Sequence, residues 1–262
     1  TLAVLDRSKF AAPGARMRRP GTFVWTGAVA AAAALGVGLF LFTRPGPAML
    51  VEPVPSPEAF ATIIGEQREV MLADGSSVTL NTGTRLEVVL TAEERFVRLE
   101  EGQALFEVAS AEAPFVVEAG GRRTTALGTR FDVYLMPDGI AVTLVEGSVR
   151  VDGAGGRVLE PGQQLRVSGA EVSVLDVDTD AVTGWQAGMV QFRDVPLAEA
   201  IAELNRYSNV KLRVEDPQLA AERLSGVFTA GDQELFLESL ALYLPVETVR
   251  SGDEILIRRR PG

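Results

Sequence analysis

The sequence predicts a single transmembrane helix followed by an all-β domain, sandwich or solenoid-like, and a small α/β domain of two βαβ-like halves. Three observations carry this. Residues 22–42 hold 21 positions without one charged side chain. From Gly65 to about Ser173, short alternating apolar runs are punctuated by turn signals, with no helical period between them. Beyond Trp185 the apolar period lengthens to that of a helix, twice, at an offset of 40 residues.

The uncharged run comes first. At about 1.5 Å per residue a helix of this length covers roughly 32 Å, matching a bilayer hydrocarbon core. It is apolar on every side, from Val24 to Leu39, whereas a core helix keeps a polar face. Its exit, Leu41-Phe42-Thr43-Arg44-Pro45, lacks the small residues of a signal-peptide cleavage site. Arg7, Lys9, Arg16, Arg18 and Arg19 precede it, and only Arg44 follows closely. Positive charge stays inside, so the expected topology is single-pass, with the N-terminus cytosolic and the C-terminal domains across the membrane; the family resemblance given below implies an inner membrane and a periplasmic side. Gly36 and Gly38 leave room for close packing of two spans, hence a possible homo-oligomer. Residues 1–21 then form a cytosolic remnant and 22–43 the membrane helix. Residues 44–62 form a linker in which Pro45, Pro47, Pro53, Pro55 and Pro57 favour extended polyproline II.

Composition excludes several chemistries. The chain has no cysteine and no histidine, so disulfides, Ser-His-Asp triads and imidazole–zinc sites are ruled out. After Arg44 it carries 19 Lys+Arg against 34 Asp+Glu, which disfavours nucleic acid or an anionic lipid surface as partner. No catalytic, cofactor or metal residues are assigned, and no enzyme activity is expected. The Asp176, Asp178, Asp180 series resembles the start of a calcium loop. However, Ala181 and Ala187 stand where glycine and glutamate are required, so it is read as solvated linker.

The β domain is assigned to 63–175. Val70 and Leu72 alternate toward Asp74-Gly75, and Val78 and Leu80 lead away, which predicts a tight hairpin. Turn signals recur at Asn81-Thr82-Gly83, Glu101-Gly102, Gly120-Gly121, Pro137-Asp138-Gly139, Glu146-Gly147, Gly155-Gly156 and Pro161-Gly162. Strands are expected between them at 95–99, 104–109, 115–118, 130–135, 141–145, 148–151 and 164–167. At Gly128-Thr129 a bulge or close backbone approach is favoured over a ligand contact.

Residues 176–188 read as a linker and 189–262 as the α/β domain. A strand at 189–192 precedes a helix with Leu197, Ala200, Ile201 and Leu204 on one side, then a strand through Val210, Leu212 and Val214. A second round presents Leu237, Leu240, Ala241 and Leu244, then strands at 246–250 and 254–257. Small mixed sheets leave open edges that another strand can extend. The candidate partner-binding residues are therefore Val190, Gln191 and Phe192 or Val210, Lys211, Leu212, Arg213 and Val214; the sequence does not choose which strand is the open edge. Trp185, an indole in a linker, is the candidate interdomain anchor.

The order of several short motifs then resembles a known family. Arg68-Glu69-Val70-Met71-Leu72-Ala73-Asp74-Gly75-Ser76 is followed by Arg98-Leu99-Glu100-Glu101-Gly102, Phe106-Glu107-Val108 and Pro114-Phe115-Val116-Val117. Next come Ala126-Leu127-Gly128-Thr129-Arg130-Phe131, Val142-Thr143-Leu144-Val145-Glu146-Gly147 and Pro161-Gly162-Gln163. Trp185-Gln186-Ala187-Gly188, Pro196-Leu197 and Glu203-Leu204-Asn205-Arg206-Tyr207 complete the set. The chain resembles the FecR family, transmembrane anti-sigma regulators of extracytoplasmic-function sigma factors. Its C-terminal part is similar to the short N-terminal signalling domains of secretins and TonB-dependent transducers.

The resemblance implies regulation of a cytosolic sigma factor in response to a TonB-dependent outer-membrane transducer serving iron or nutrient uptake. Family members carry tryptophan-bearing anti-sigma helices before the span. Residues 1–21 hold no tryptophan, so that region is expected upstream of Thr1, in the part an N-terminally truncated chain would lack. The alternative reading is a structural envelope scaffold that binds a secretin or glycan.

Overall fold

The computed structural model describes residues 56–260 apart from 154. The uncharged run at 22–42 lies outside the described residues, and among the described residues no helix is long and apolar enough to cross a membrane. Residues Val54–Gly262 form one compact unit.

Thirteen strands build the β domain. They are β1 (Glu58–Ala61), β2 (Arg68–Met71), β3 (Ser77–Leu80), β4 (Arg85–Leu90), β5 (Arg95–Glu107), β6 (Phe115–Ala119) and β7 (Arg122–Ala126). Then follow β8 (Arg130–Met136), β9 (Gly139–Glu146), β10 (Val149–Val151), β11 (Arg157–Leu159), β12 (Gln163–Ser168) and β13 (Glu171–Asp176). One sheet runs β1-β4-β5-β6-β7-β10-β11 and the other β2-β3-β5-β8-β9-β12-β13, with β5 common to both. Among the described residues of this domain, only the β5–β6 pair is parallel. Alternate side chains from both sheets fill one core: Leu86, Val97, Leu99 and Phe115 from the first, Leu80, Phe131, Val142 and Leu165 from the second. Phe106 joins them, its ring 5.8 Å from Phe115 and 5.2 Å from Phe131.

The Asp74-Gly75 hairpin forms as the pattern predicts, with Val70 opposite Val78. Glu101-Gly102 does not turn. Strands expected at 95–99 and 104–109 are one strand, β5, bent where it passes from sheet to sheet. Gly102 has φ +87°, and a Cβ there would stand 2.4 Å from Thr84 Oγ1 and 2.6 Å from Thr84 Cα. The register against β4 shifts at the same place, between Arg85 and Leu86. The glycine permits a kink and a close crossing rather than a reversal. Strand β1 occupies part of the expected linker, because residues 58–61 pair along the edge of β4. Strands β4, β7, β11 and β13 were not expected; several carry polar, exposed residues, and neighbours recruit them by backbone pairing.

Within the stretch read as a linker, 176–188, the connector is a capped helical segment. Asp178 accepts hydrogen bonds from the amides of Asp180 (3.1 Å) and Ala181 (3.3 Å), opening α1 (Thr179–Thr183). A 3-10 turn, Gly184–Ala187, follows and ends at Gly188 in the left-handed region.

In the α/β domain, β14 (Met189–Pro196) pairs antiparallel with β16 (Arg223–Thr229). Strand β15 (Lys211–Val214) runs parallel to β18 (Glu254–Arg259), which pairs antiparallel with β17 (Val246–Ser251). Three helices complete it: α2 (Leu197–Leu204), α3 (Pro217–Ala220) and α4 (Gln233–Tyr243). The halves interlock, since each strand of the first half pairs with one of the second. Helix α2 buries Leu197, Ala200, Ile201 and Leu204, the predicted stripe. Helix α4 instead buries Gln233, Phe236 and Leu240, leaving Leu237 and Leu244 half-buried and Ala241 exposed. The helix turns to seat Phe236, whose ring packs edge-on against Phe228 at 5.1 Å.

Candidate functional site

Period-2 alternation sends Ala104, Phe106, Phe131 and Val133 into the β core, so Gln103, Leu105, Asp132 and Tyr134 project from the other face of their sheet. On a bare sheet these would meet water. Here the α/β domain covers them. Leu105 belongs to the same apolar cluster as Trp185, Leu204 and Tyr207, while Gln103 and Asp132 are buried beside it.

Asp132 is the centre of a hydrogen-bond network that crosses between the domains. Its carboxylate accepts from Gln103 Nε2 at 3.0 and 3.1 Å and from Trp185 Nε1 at 3.3 Å. Gln103 Oε1 accepts from Asn81 Nδ2 (2.9 Å) and from Arg206 NH1 (3.0 Å). Asn81 Nδ2 also donates to the Tyr207 hydroxyl at 2.9 Å. Asn81 Oδ1 accepts from the Thr82 amide at 2.8 Å, and Gln67 Nε2 donates to the Trp185 carbonyl at 2.6 Å. Thr82 Oγ1 reaches the Arg206 carbonyl at 3.0 Å. Both lone-pair directions of Gln103 Oε1 and both hydrogens of Asn81 are thereby used, which fixes each amide in one orientation.

The local sequence places these groups. Asn81 follows β3 directly, Gln103 lies beside the Gly102 kink, and Arg206 and Tyr207 sit in the 3-10 turn Asn205–Tyr207 that closes α2. Arg206 is ion-paired to Glu203 at 2.6 Å, and its guanidinium lies 4.0 Å from the Tyr134 ring centroid. Its NH2 is buried without a hydrogen-bond partner among the described residues. Clefts of about 510 and 410 Å³ flank this stack, the first reaching Lys211 and the second Glu199. Burial pushes the Asp132 carboxyl up to about 7, against the pull of Gln103, Trp185 and the nearby Arg206 charge. Burial likewise pushes the Tyr134 phenol up to about 12. Such an arrangement can lock two surfaces in one register; among the described residues no group of three or more acidic side chains could hold a metal ion.

The sequence-predicted residues fall as follows. Trp185 is 3% exposed and touches the β domain through Asp132 and Gln67. Val190, Phe192 and Leu212 have their side chains in the α/β core and offer only backbone to the edges of their strands. Gln191, Val210 and Val214 are half-buried. Lys211 and Arg213 are exposed; Lys211 Nζ donates to the carbonyls of Asn205 and Ser208, and Arg213 lies near Glu215 and Glu254. Each of β14 and β15 has one strand neighbour among the described residues. Sequence reasoning missed Gln103, Asp132 and Tyr134. The available signal was polar residues at outward positions of otherwise apolar strands, in a chain that also carries a linker tryptophan in need of a partner.

Comparison with known proteins places this interface in context. Residues 58–150 match the model of the FecR protein family and residues 189–257 that of the FecR C-terminal region, together more than half of the chain. Two crystal structures of a candidate anti-sigma factor from Parabacteroides distasonis, at 2.50 and 1.65 Å resolution, superpose with a TM-score of 0.70 at 26% identity. They cover 79% and 78% of this chain and all of their own. No curated protein sequence matches it.

Proposed function

Because the chain belongs to the FecR family of anti-sigma regulators, we propose that it carries a signal across the inner membrane to a cytosolic extracytoplasmic-function sigma factor. In this reading residues 22–42 form the single span, and the β and α/β domains lie in the periplasm. A TonB-dependent outer-membrane transducer is the partner they sense. The supporting observation is that residues from both matched segments, Asn81, Gln103 and Asp132 on one side and Arg206 and Tyr207 on the other, meet in one buried network. A sensor needs its modules coupled, since a ligand shifts an equilibrium only by its differential affinity for the two states.

The outer edge of β15 is the proposed contact, with Lys211 and Arg213 exposed along it. Trp185 serves as the anchor between the modules. The test is co-purification of the full-length protein with the transducer's periplasmic signalling domain. Lys211→Glu with Arg213→Glu is expected to abolish capture while membrane insertion persists; undiminished capture sinks the assignment of that edge.

A further inference from the structure

The apolar cluster of the α/β domain receives little from its neighbour: buried Leu105 and partly buried Val145 are the β-domain side chains in it. The rest of the described contact is hydrogen bonds through Asp132, Gln103, Asn81, Thr82 and Gln67, together with the Arg206 guanidinium against the Tyr134 ring. We propose that this network is a releasable latch, closed at rest, and that a partner holding the α/β domain opens it by drawing Trp185, Arg206 and Tyr207 away from Asp132, Gln103 and Asn81. The inference rests on the regulator reading above and adds to it the step at which the exported part changes state.

Three features favour release over permanent union. Hydrogen bonds across the interface are exchanged for water when it opens, so each contributes only a small net amount, whereas a large apolar seam would resist separation. Closure also buries groups that prefer water. The Arg206 NH2 has no hydrogen-bond partner among the described residues, and the Asp132 carboxylate receives donors but sits in a low-dielectric site that raises its pKa. Opening relieves both costs. Finally, the connector between the domains is short and contains Gly184 and Gly188, the latter at φ 70°. That backbone can absorb a rotation without unravelling either domain.

The same network explains why the closed state is unique. Asn81 and Gln103 each have their amide orientation dictated by partners on both sides. Any slippage leaves several buried polar groups unpaired at once, so the latch has one closed register and a range of open ones.

The experiment uses the full-length protein with Trp25 and any tryptophan preceding Thr1 replaced by Phe, so that Trp185 is the one tryptophan left. Its emission reports whether the interface is closed. Asn81→Ala with Gln103→Ala, and separately the milder Tyr207→Phe, are expected to shift emission to the red and increase acrylamide quenching. In cells the double variant is expected to raise sigma-dependent reporter output without signal by roughly tenfold, with Tyr207→Phe intermediate. Unchanged Trp185 emission in both variants overturns the latch, as does a red shift with unchanged output. Retained β-sheet circular dichroism shows that the β domain is folded in each variant. Removing the whole protein tests the premise separately. Output indifferent to that removal defeats the regulator reading, whereas output that responds to removal but not to the variants defeats only the latch.

Discussion

Two buried regions of this molecule are built from opposite materials. Between the sheets, Phe106, Phe115 and Phe131 stack with aliphatic neighbours in a core of apolar side chains. Between the domains, a carboxylate, two amides, a guanidinium and a phenol occupy the contact. The first region gains from removing apolar area from water, a non-directional effect that tolerates repacking. The second gains little per bond but fails if any partner is misplaced. Stability therefore resides between the sheets, and register resides between the domains.

The comparison is tested most severely in the core. Phe106→Ala is expected to cost about 3–5 kcal/mol, because the ring is fully buried and bridges both sheets. Urea denaturation followed by circular dichroism reads this out; a loss below about 1 kcal/mol would remove the core's claim to dominance. At the interface the next effect belongs to Trp185. Trp185→Ala is expected to cost about 3 kcal/mol, while Trp185→Phe, which keeps a ring but loses the donor to Asp132, costs about 1 kcal/mol. If the two variants are equal, the indole serves through its hydrogen bond and not its bulk.

Asp132 adds a pH dependence that the core lacks. Its folded pKa, about 7, lies above the ordinary value of 3.8. Below about pH 4 both states hold the proton and the group is neutral toward folding. As pH rises from there toward 7, the unfolded chain ionises while the folded one keeps its proton, so stability falls; above the folded pKa it levels off. The groups facing Asp132 are Gln103, Trp185, Arg206 and Glu203, with Tyr134 and Tyr207 beyond. Asp132→Asn is expected to flatten the slope of denaturation midpoint against pH. A slope identical in both proteins would assign it to other carboxylates.

How far these regions are legible in sequence differs for a physical reason. The inter-sheet core follows from period-2 alternation, and Phe131 and Val133 declare themselves as inward. The same alternation puts Asp132 outward, and outward normally means wet. Only a second domain, placed by contacts of Trp185 more than fifty positions away, makes it buried. The path of β5 was equally hidden. Glu101-Gly102 is a sound turn signal, but tertiary pairing with β3, β4, β6 and β8 on its two halves holds the chain extended through the kink. The Asp178 cap shows the converse: its pattern was visible, and its purpose depended on the helix that followed.

The smallest effects separate burial from bond type. Arg206–Glu203 and Arg258–Glu247 are both close ion pairs, at 2.6 and 2.8 Å. Their surroundings differ: side-chain exposures are 15% and 26% for the first, 54% and 36% for the second. Glu203→Gln removes the countercharge of a mostly enclosed guanidinium and is expected to cost about 2 kcal/mol. Glu247→Gln leaves Arg258 to water, and a change under about 0.5 kcal/mol is expected in the same denaturation assay. High salt should leave the Glu203 effect largely intact and erase that of Glu247, since only solvent-exposed charges are fully screened. Equal costs for the two variants would mean that the interface draws on pairwise ionic attraction and not on the penalty of leaving a buried charge alone, and the contrast between sealed core and matched interface would lose its physical basis.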